Sequence, residues 1–216
     1  MTTNRLAALV DPKEFEAYLR KLEEKIEEAE RHLDVPHGTL AYLHSDNDYV
    51  AILKVHATIE PLLNELLEKN VTRVLSHPKV NFPGGDVLAD FILKRNLDEK
   101  RTLAVKFELI DEPNSRFVKA VSDVRNRYAH NIKNISLSIV DITKKLSPND
   151  DGASVVKQIC GSTNTNDNAR IRGLLYYRFA RWLSVVLEGI NPPPPTPALA
   201  GLSPHVGALE NEKNDK

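Results

Sequence analysis

The stretch FVKAVSDVRNRYAH, residues 117–130, is the most informative part of the chain for fold and function. Its large apolar side chains recur at steps of four and three residues, at Phe117, Val121, Val124 and Tyr128. At about 100° per residue these four side chains fall within one narrow arc, which predicts an amphipathic α-helix with that arc against a core. Arg125 lies on the flank of the arc, whereas Asn126 and His130 lie one turn apart on nearly the opposite side. His130 is therefore predicted to face solvent, another helix or a second subunit.

Three further segments show the same helical spacing. Residues 15–33 carry a narrow apolar stripe on a highly charged background, residues 52–67 carry a wide stripe typical of a central core helix, and residues 174–187 carry a third. Aromatic residues make up only 6% of the chain, and Leu, Ala, Ile, Glu and Lys dominate, which favours helices over a β-sandwich. Residues 135–146 are apolar and β-branched, and we assign them to a helix as well. The sequence predicts an all-α bundle of five to seven helices spanning about residues 11–190.

Breaks in the periodicity predict the domain organisation. A Pro-His-Gly break at residues 36–38 separates a predicted N-terminal helical arm, residues 1–45, from a helical domain, residues 46–190. The apolar stripe of the arm either covers the core as a peripheral helix or forms a dimerising or antiparallel coiled-coil arm. Residues 191–216 open with a proline tract that cannot join a core, which predicts a disordered tail, with recruitment of a proline-binding partner as the alternative.

Two single residues predict local features of the helices. Pro61 lies inside the core helix and predicts a kink or a local break there, because proline lacks the backbone N–H that the helix needs. Gly189 follows the last apolar repeat and predicts the C-terminal cap of the final helix.

Composition narrows the class of protein. A chain of 216 residues, 41% hydrophobic and 27% charged, can bury one sizeable core, and its net charge of -1 gives no global attraction to nucleic acid or membranes. Cys160 is the only cysteine, which excludes an intramolecular disulfide and a multi-cysteine zinc site. The scattered histidines lack metal-ligand spacing, so no metal or cofactor is predicted. Because neither a signal peptide nor a transmembrane stretch is apparent, we expect a cytoplasmic protein without a membrane partner.

The segment RNRYAH, residues 125–130, resembles the Arg-x4-6-His motif of the HEPN (higher eukaryotes and prokaryotes nucleotide-binding) superfamily, in which a polar residue often follows the arginine. The surrounding order is similar to the mannitol operon repressor-like branch, with an early core helix at 49–70, a helix at 97–110 and an Asn-rich, hydrophobic continuation at 131–146. The resemblance covers roughly residues 45–146 and implies a HEPN-like helical bundle. The chain departs from the pattern at Pro61, and no helix-turn-helix is evident, which argues against direct DNA recognition.

For catalytically active members, the resemblance implies metal-independent RNA cleavage at a cleft formed by two protomers. It thus implies a homodimer with Arg125 and His130 near the subunit interface. The residue types suit this chemistry, because an arginine stays charged against a phosphate and a histidine with a pKa of about 6.5 can transfer a proton at neutral pH. Asn126 is the third predicted catalytic residue and would orient the imidazole or bind the phosphate. Arg127 and Tyr128 are the predicted substrate-binding residues.

Two functions therefore stay open. The first is an endoribonuclease of the toxin or defence type with an RNA substrate, and the second is a non-catalytic regulatory protein that acts through contacts with an antitoxin or regulatory partner. The second interpretation pairs Arg125 with Asp123, Glu60 or a partner's carboxylate, and makes His130 a helix-terminus group. Residues 94–145 contain twelve Lys and Arg against seven Asp and Glu, which favours RNA binding by this part of the chain.

Other polar residues are predicted to serve the structure. His56 lies beside the apolar stripe of the core helix and is predicted to be semi-buried. Four arginines of the last helix are predicted to form a solvated or interface face, with an RNA-binding stripe as the alternative: Arg170, Arg172, Arg178 and Arg181.

Overall fold

The computed structural model describes residues 12–75, 87, 90–92, 94–144, 152–161 and 168–192. The α-helices with described bounds are α1 (Pro12–His32), α2 (Asp48–Leu75), α3 (Leu97–Lys106), α4 (Glu112–Ala129), α5 (Ile139–Thr143), α6 (Gly152–Cys160) and α7 (Asn168–Ile190). A short 3-10 helix, Ile132–Ser136, connects α4 to α5. No β-strand occurs in these ranges, which confirms the predicted all-α fold. The predicted tail lies outside the described residues beyond its first two positions.

The central helix of the bundle is α2, which packs against α7 and α4, while α3 and α6 fill the remaining sides of α4. Its wide stripe explains this position, because a helix with a broad apolar face can be covered by several neighbours at once. The stripe residues are fully buried at Ile52, Val55, Ile59, Leu62, Leu63, Leu66 and Leu67. Each such side chain stabilises the fold by about 1.5–3 kcal/mol relative to an exposed one.

The N-terminal helix covers the core. Its stripe residues Leu22, Ile26 and Ala29 are buried in the same cluster as the stripe of α2, and α1 packs along α7. Within this chain, α1 is therefore a peripheral helix whose apolar stripe covers the core. The domain boundary near residue 45 stays a prediction.

The loop between α1 and α2 is organised around one buried carboxylate. Glu30, 1% exposed, accepts hydrogen bonds from the backbone N–H groups of Gly38 at 2.9 Å, Leu40 at 2.6 Å and Ala41 at 3.1 Å. Burial acts to raise the pKa of Glu30, but these backbone donors outweigh it, so that the pKa lies below its ordinary value. Gly38 has a φ of +88°, a conformation that glycine adopts without strain.

A second buried carboxylate joins three helices. Asp48, the first residue of α2, is 5% exposed and accepts hydrogen bonds from the Ile139 N–H at 2.7 Å and from Arg172 Nη1 at 3.0 Å. The side chain thus caps the start of α5 and forms an ion pair with α7. These partners offset the cost of burying the carboxylate oxygens.

Three local predictions have different outcomes. The assignment of residues 135–146 to helix is correct over α5, but the segment begins with the 3-10 helix, and Ser138 caps α5 by accepting from the Asp141 N–H. The predicted break at Pro61 is absent, because α2 continues through this exposed proline.

The predicted capping role of Gly189 is wrong. The helix continues to Ile190, and Gly189 lies inside it against α2, where an added Cβ would come within 2.6 Å of Leu66 Cδ1. The glycine therefore permits a close approach of α7 to α2. None of the described helices is long and apolar enough to cross a membrane.

Candidate functional site

The motif helix α4 is fixed at its start and along one face. Asp111 caps the helix by accepting a hydrogen bond from the Asn114 N–H at 2.8 Å, and Pro113 lies in the first turn. The predicted core face is confirmed, since its four residues are fully buried: Phe117, Val121, Val124 and Tyr128. The side-chain directions that follow from this face are also confirmed, because Arg125 is half-buried while Asn126 and His130 are exposed.

The chain after α4 folds back onto the end of the helix and holds it. Asn134 Nδ2 donates to the Arg127 carbonyl at 2.8 Å, and the Tyr128 hydroxyl donates to the Leu137 carbonyl at 3.0 Å. His130 occupies the C-cap position, with its N–H donating to the Asn126 carbonyl at 3.0 Å. The backbone of the motif is therefore rigidly supported by the segment that follows it.

The imidazole of His130 has no partner among the residues that the structure describes. It is exposed at the end of α4, and no hydrogen bond, ion pair or ring contact involves it within the described ranges. Three other histidines contrast with it. His32 pairs with Glu65, His37 lies 3.3 Å from Glu30, and the His44 ring packs edge-on against Tyr176.

The guanidinium of Arg125 is held by an amide. Arg125 Nη1 donates to Asn126 Oδ1 at 3.1 Å, and no carboxylate in the described part of the chain forms an ion pair with it. Asp123, the neighbour that the non-catalytic interpretation offers as a partner, pairs with Lys119 at 2.9 Å instead. Asn126 therefore positions Arg125, whereas its predicted role in orienting the His130 imidazole has no counterpart in this arrangement.

The two predicted substrate-binding residues are placed differently. Tyr128 is 1% exposed with its hydroxyl bonded to Leu137, so that a substrate cannot reach it in this structure; the residue supports the site from the core. Burial, followed by the negative charges of Asp48 and Asp141, raises the pKa of Tyr128. Arg127 is half-buried at the same end of α4, and its side chain has no ion pair within the described residues.

Sequence reasoning missed the contribution of α2 to this site. His56 is half-buried as predicted, but the packing of α2 on α4 brings it close to Arg125. The pKa of His56 is lowered first by burial and then by the positive charge of Arg125, against the opposing effect of Glu60. Both effects favour the neutral imidazole over the imidazolium. The sequence carries no signal for this approach, because His56 and Arg125 lie on helices that are distant in sequence.

The cleft beside the motif has balanced charges. A cleft of about 150 Å³ between α3 and α4 reaches Asn126. Its arginine and lysine are both paired, because Arg101 bonds to Asp98 at 2.8 Å and Lys119 bonds to Asp123. Arg125 and Arg127, by contrast, form no ion pair with a carboxylate among the described residues.

Two exposed isoleucines follow the motif in the chain. Ile132 is 81% exposed two residues after His130, and Ile135 is also exposed.

Within the described ranges, no group of three or more His, Cys, Asp or Glu side chains is placed to hold a metal ion. In comparisons with known proteins, no family model, no curated protein and no solved structure matches the chain. The resemblance to HEPN proteins therefore rests on the motif and the order of segments.

Proposed function

We propose that the protein is a HEPN-type endoribonuclease that cleaves RNA without a metal ion at a cleft completed by a second copy of the chain. The observation that carries this proposal is the open imidazole of His130 on the same helix as Arg125, an arginine that has no carboxylate partner among the described residues. Buried polar side chains that serve the fold are normally satisfied by other groups of the protein. An exposed His130 and an uncompensated Arg125 at the end of one rigid helix are instead suited to an external ligand.

The chemistry assigns one role to each residue. Arg125, held by Asn126, keeps donors available for a phosphate and stabilises the charge that develops on it in the transition state. His130 accepts the proton of the ribose 2′-hydroxyl as its oxygen attacks the adjacent phosphorus. The bond from phosphorus to the 5′-oxygen breaks, and that oxygen takes a proton from water. The products are a 2′,3′-cyclic phosphate and a 5′-hydroxyl end.

The surface around the motif supports a two-protomer cleft. A twofold interface at the end of α4 would bury Ile132 and Ile135 and would bring two copies of the motif together. Light scattering should therefore give a dimer at micromolar concentration. A strict monomer would contradict both the dimer and the composite site.

The central experiment is RNA cleavage in the presence of EDTA. We expect the purified protein to cut single-stranded RNA and to leave 2′,3′-cyclic phosphate ends. His130→Ala should lower the rate by roughly 10²–10⁴-fold, and Arg125→Ala should raise the barrier by about 3–4 kcal/mol. His44→Ala and Arg20→Ala are matched controls, because both residues are exposed and distant in sequence from the motif. If the two control variants lost as much cleavage rate as His130→Ala and Arg125→Ala, the catalytic assignment of His130 and Arg125 would be wrong.

The alternative is a non-catalytic module that binds an antitoxin or regulatory protein, and the exposed Ile132 favours it. A wild type without cleavage, together with a dimer that dissociates on Arg125→Ala, would support that function. Loss of cleavage in His130→Ala, with helicity and melting temperature unchanged from the wild type, would support catalysis.

A further inference from the structure

A second cleft lies at the opposite end of α4, where this helix meets α6 and α7. It has a volume of about 340 Å³, and three of its lining residues are cationic: Arg116 of α4, Lys157 of α6 and Arg178 of α7. The rest of its lining consists of Pro113, Ser154, Gln158 and Gly161, so that no carboxylate among the described residues lines it.

The arginine at the floor of this cleft is fixed in place. Arg178 Nη2 donates to the Pro113 carbonyl at 2.8 Å, and the guanidinium lies 5.9 Å from the centre of the Phe117 ring. Its Nε is buried and has no hydrogen-bond acceptor within the part of the chain that the structure describes. The guanidinium is thus preorganised, and no carboxylate among the described residues forms an ion pair with it.

The electrostatic environment of Arg178 is correspondingly unfavourable. Its pKa is lowered first by burial and then by the positive charge of Arg181, with Asp111 acting in the opposite direction. Asp111 forms no ion pair with this guanidinium, and its carboxylate caps α4 instead. A bound anion would compensate the charge that the described part of the fold leaves unbalanced.

Two exposed cationic side chains complete the cleft. Arg116 and Lys157 are exposed, and neither side chain forms a hydrogen bond or ion pair with a described residue. Ser154 accepts a hydrogen bond from Gln158 Nε2 at 3.2 Å, which leaves its hydroxyl proton available to a ligand. In the cleft between α3 and α4, by contrast, Arg101 and Lys119 are each paired with an aspartate.

We propose that this second cleft is a phosphate-binding site, with Arg178 at its floor and Arg116 and Lys157 at its mouth. Two guanidinium groups and an ammonium group suit a phosphate, because both kinds of cation donate charge-assisted hydrogen bonds to its oxygens. The phosphate belongs either to a small phosphorylated molecule or to an RNA backbone. The site does not include the motif residues and does not depend on RNA cleavage.

Titration of the full chain with inorganic phosphate, followed by amide and arginine Nε–H chemical shifts in NMR spectra, tests the proposal. We expect saturable shifts at residues 154–161 and at the Arg178 Nε–H group. Arg116→Gln combined with Lys157→Gln should weaken phosphate binding by about tenfold or more, because two charge-assisted contacts are lost. Both residues are exposed, so that this double variant should fold even where Arg178→Gln does not.

The matched control removes two positive charges elsewhere, in Lys21→Gln combined with Lys106→Gln, and should keep the wild-type affinity. A second titration uses a short single-stranded RNA with a 5′-hydroxyl end. Much tighter binding of this RNA through the same residues identifies a backbone phosphate, whereas weaker binding than inorganic phosphate identifies a terminal one. The absence of saturable shifts at millimolar phosphate, or an equal loss in the control variant, would overturn the proposal.

Discussion

Polar side chains have opposite roles in two regions of the molecule. The first region is the α1–α2 loop together with the start of α2, and the second is the end of α4. In the first region, Glu30 and Asp48 are buried, and their oxygens are bonded to backbone N–H groups and to Arg172. In the second region, Arg125 lacks a carboxylate partner among the described residues and His130 is exposed. The comparison teaches that the buried, paired groups stabilise the fold, whereas the open groups contribute little to it and are available to a ligand.

Asp48→Ala should have the largest effect on stability. Loss of this carboxylate leaves the Ile139 N–H unsatisfied and separates Arg172 from its partner, which should cost about 3 kcal/mol since Arg172 remains partly exposed. Asp46→Ala is the matched control, because Asp46 forms a more exposed ion pair with Lys54 and should cost less than about 1 kcal/mol. Denaturant unfolding measures both. Equal losses of unfolding free energy would mean that the buried Asp48 stabilises the fold no more than the more exposed Asp46 does.

Glu30→Gln should have the next largest effect, about 2 kcal/mol. The amide keeps the shape of the side chain but offers one acceptor oxygen where the carboxylate offers two. If the amide oxygen keeps the bonds to Leu40 and Ala41, the buried Gly38 N–H loses its acceptor. Glu28→Gln, which affects only a more exposed pair with Lys25, should cost about 0.5 kcal/mol or less. If the Glu30→Gln protein were as stable as the Glu28→Gln protein, the buried carboxylate of the loop would not stabilise the fold more than an exposed one does.

Acid should act on the same carboxylate. The pKa of Glu30 in the folded protein lies below its ordinary value of 4.5, so its contribution to stability is present above that value and is lost as the pH falls through the folded pKa. The free energy of unfolding of the wild type should therefore decline below about pH 5. The decline should be shallower in Glu30→Gln, as unfolding curves at a series of pH values would show. Parallel declines would assign acid sensitivity to other groups, such as Glu65, whose pKa is also lowered.

His130→Ala should have the smallest effect on stability, within about 0.5 kcal/mol. The imidazole forms no hydrogen bond, ion pair or ring contact with a described residue, so its removal breaks no such bond in that part of the fold. His32→Ala is the matched control and should cost about 0.5–1 kcal/mol through the loss of its contact with Glu65. A melting temperature of His130→Ala lower than that of His32→Ala would show that the end of α4 is structural, and the comparison would fail.

Local periodicity predicted the features that depend on one helix alone. The spacing within α4 gave the buried face and the exposure of His130, because both follow from the angle between neighbouring residues. The approach of His56 to Arg125 could not be predicted in the same way, since it depends on how two helices distant in sequence pack.

The bonds of Glu30 to the following loop also require the three-dimensional path of the chain. A kink or a local break was expected at Pro61, and α2 is not broken there. Pro61 and Ala57 are both exposed, so that water can satisfy the carbonyl group that loses its helical donor.

The two glycines of α7 have different consequences for the evolution of the sequence. No neighbouring atom of the described residues lies within 4 Å of a Cβ built on Gly173, so that this position is free to drift toward alanine. At Gly189 the same change would push into Leu66, so that selection for the packed core should retain the smallest residue there. In a library of folded variants, Gly173 should be among the most variable positions of this helix and Gly189 among the least variable.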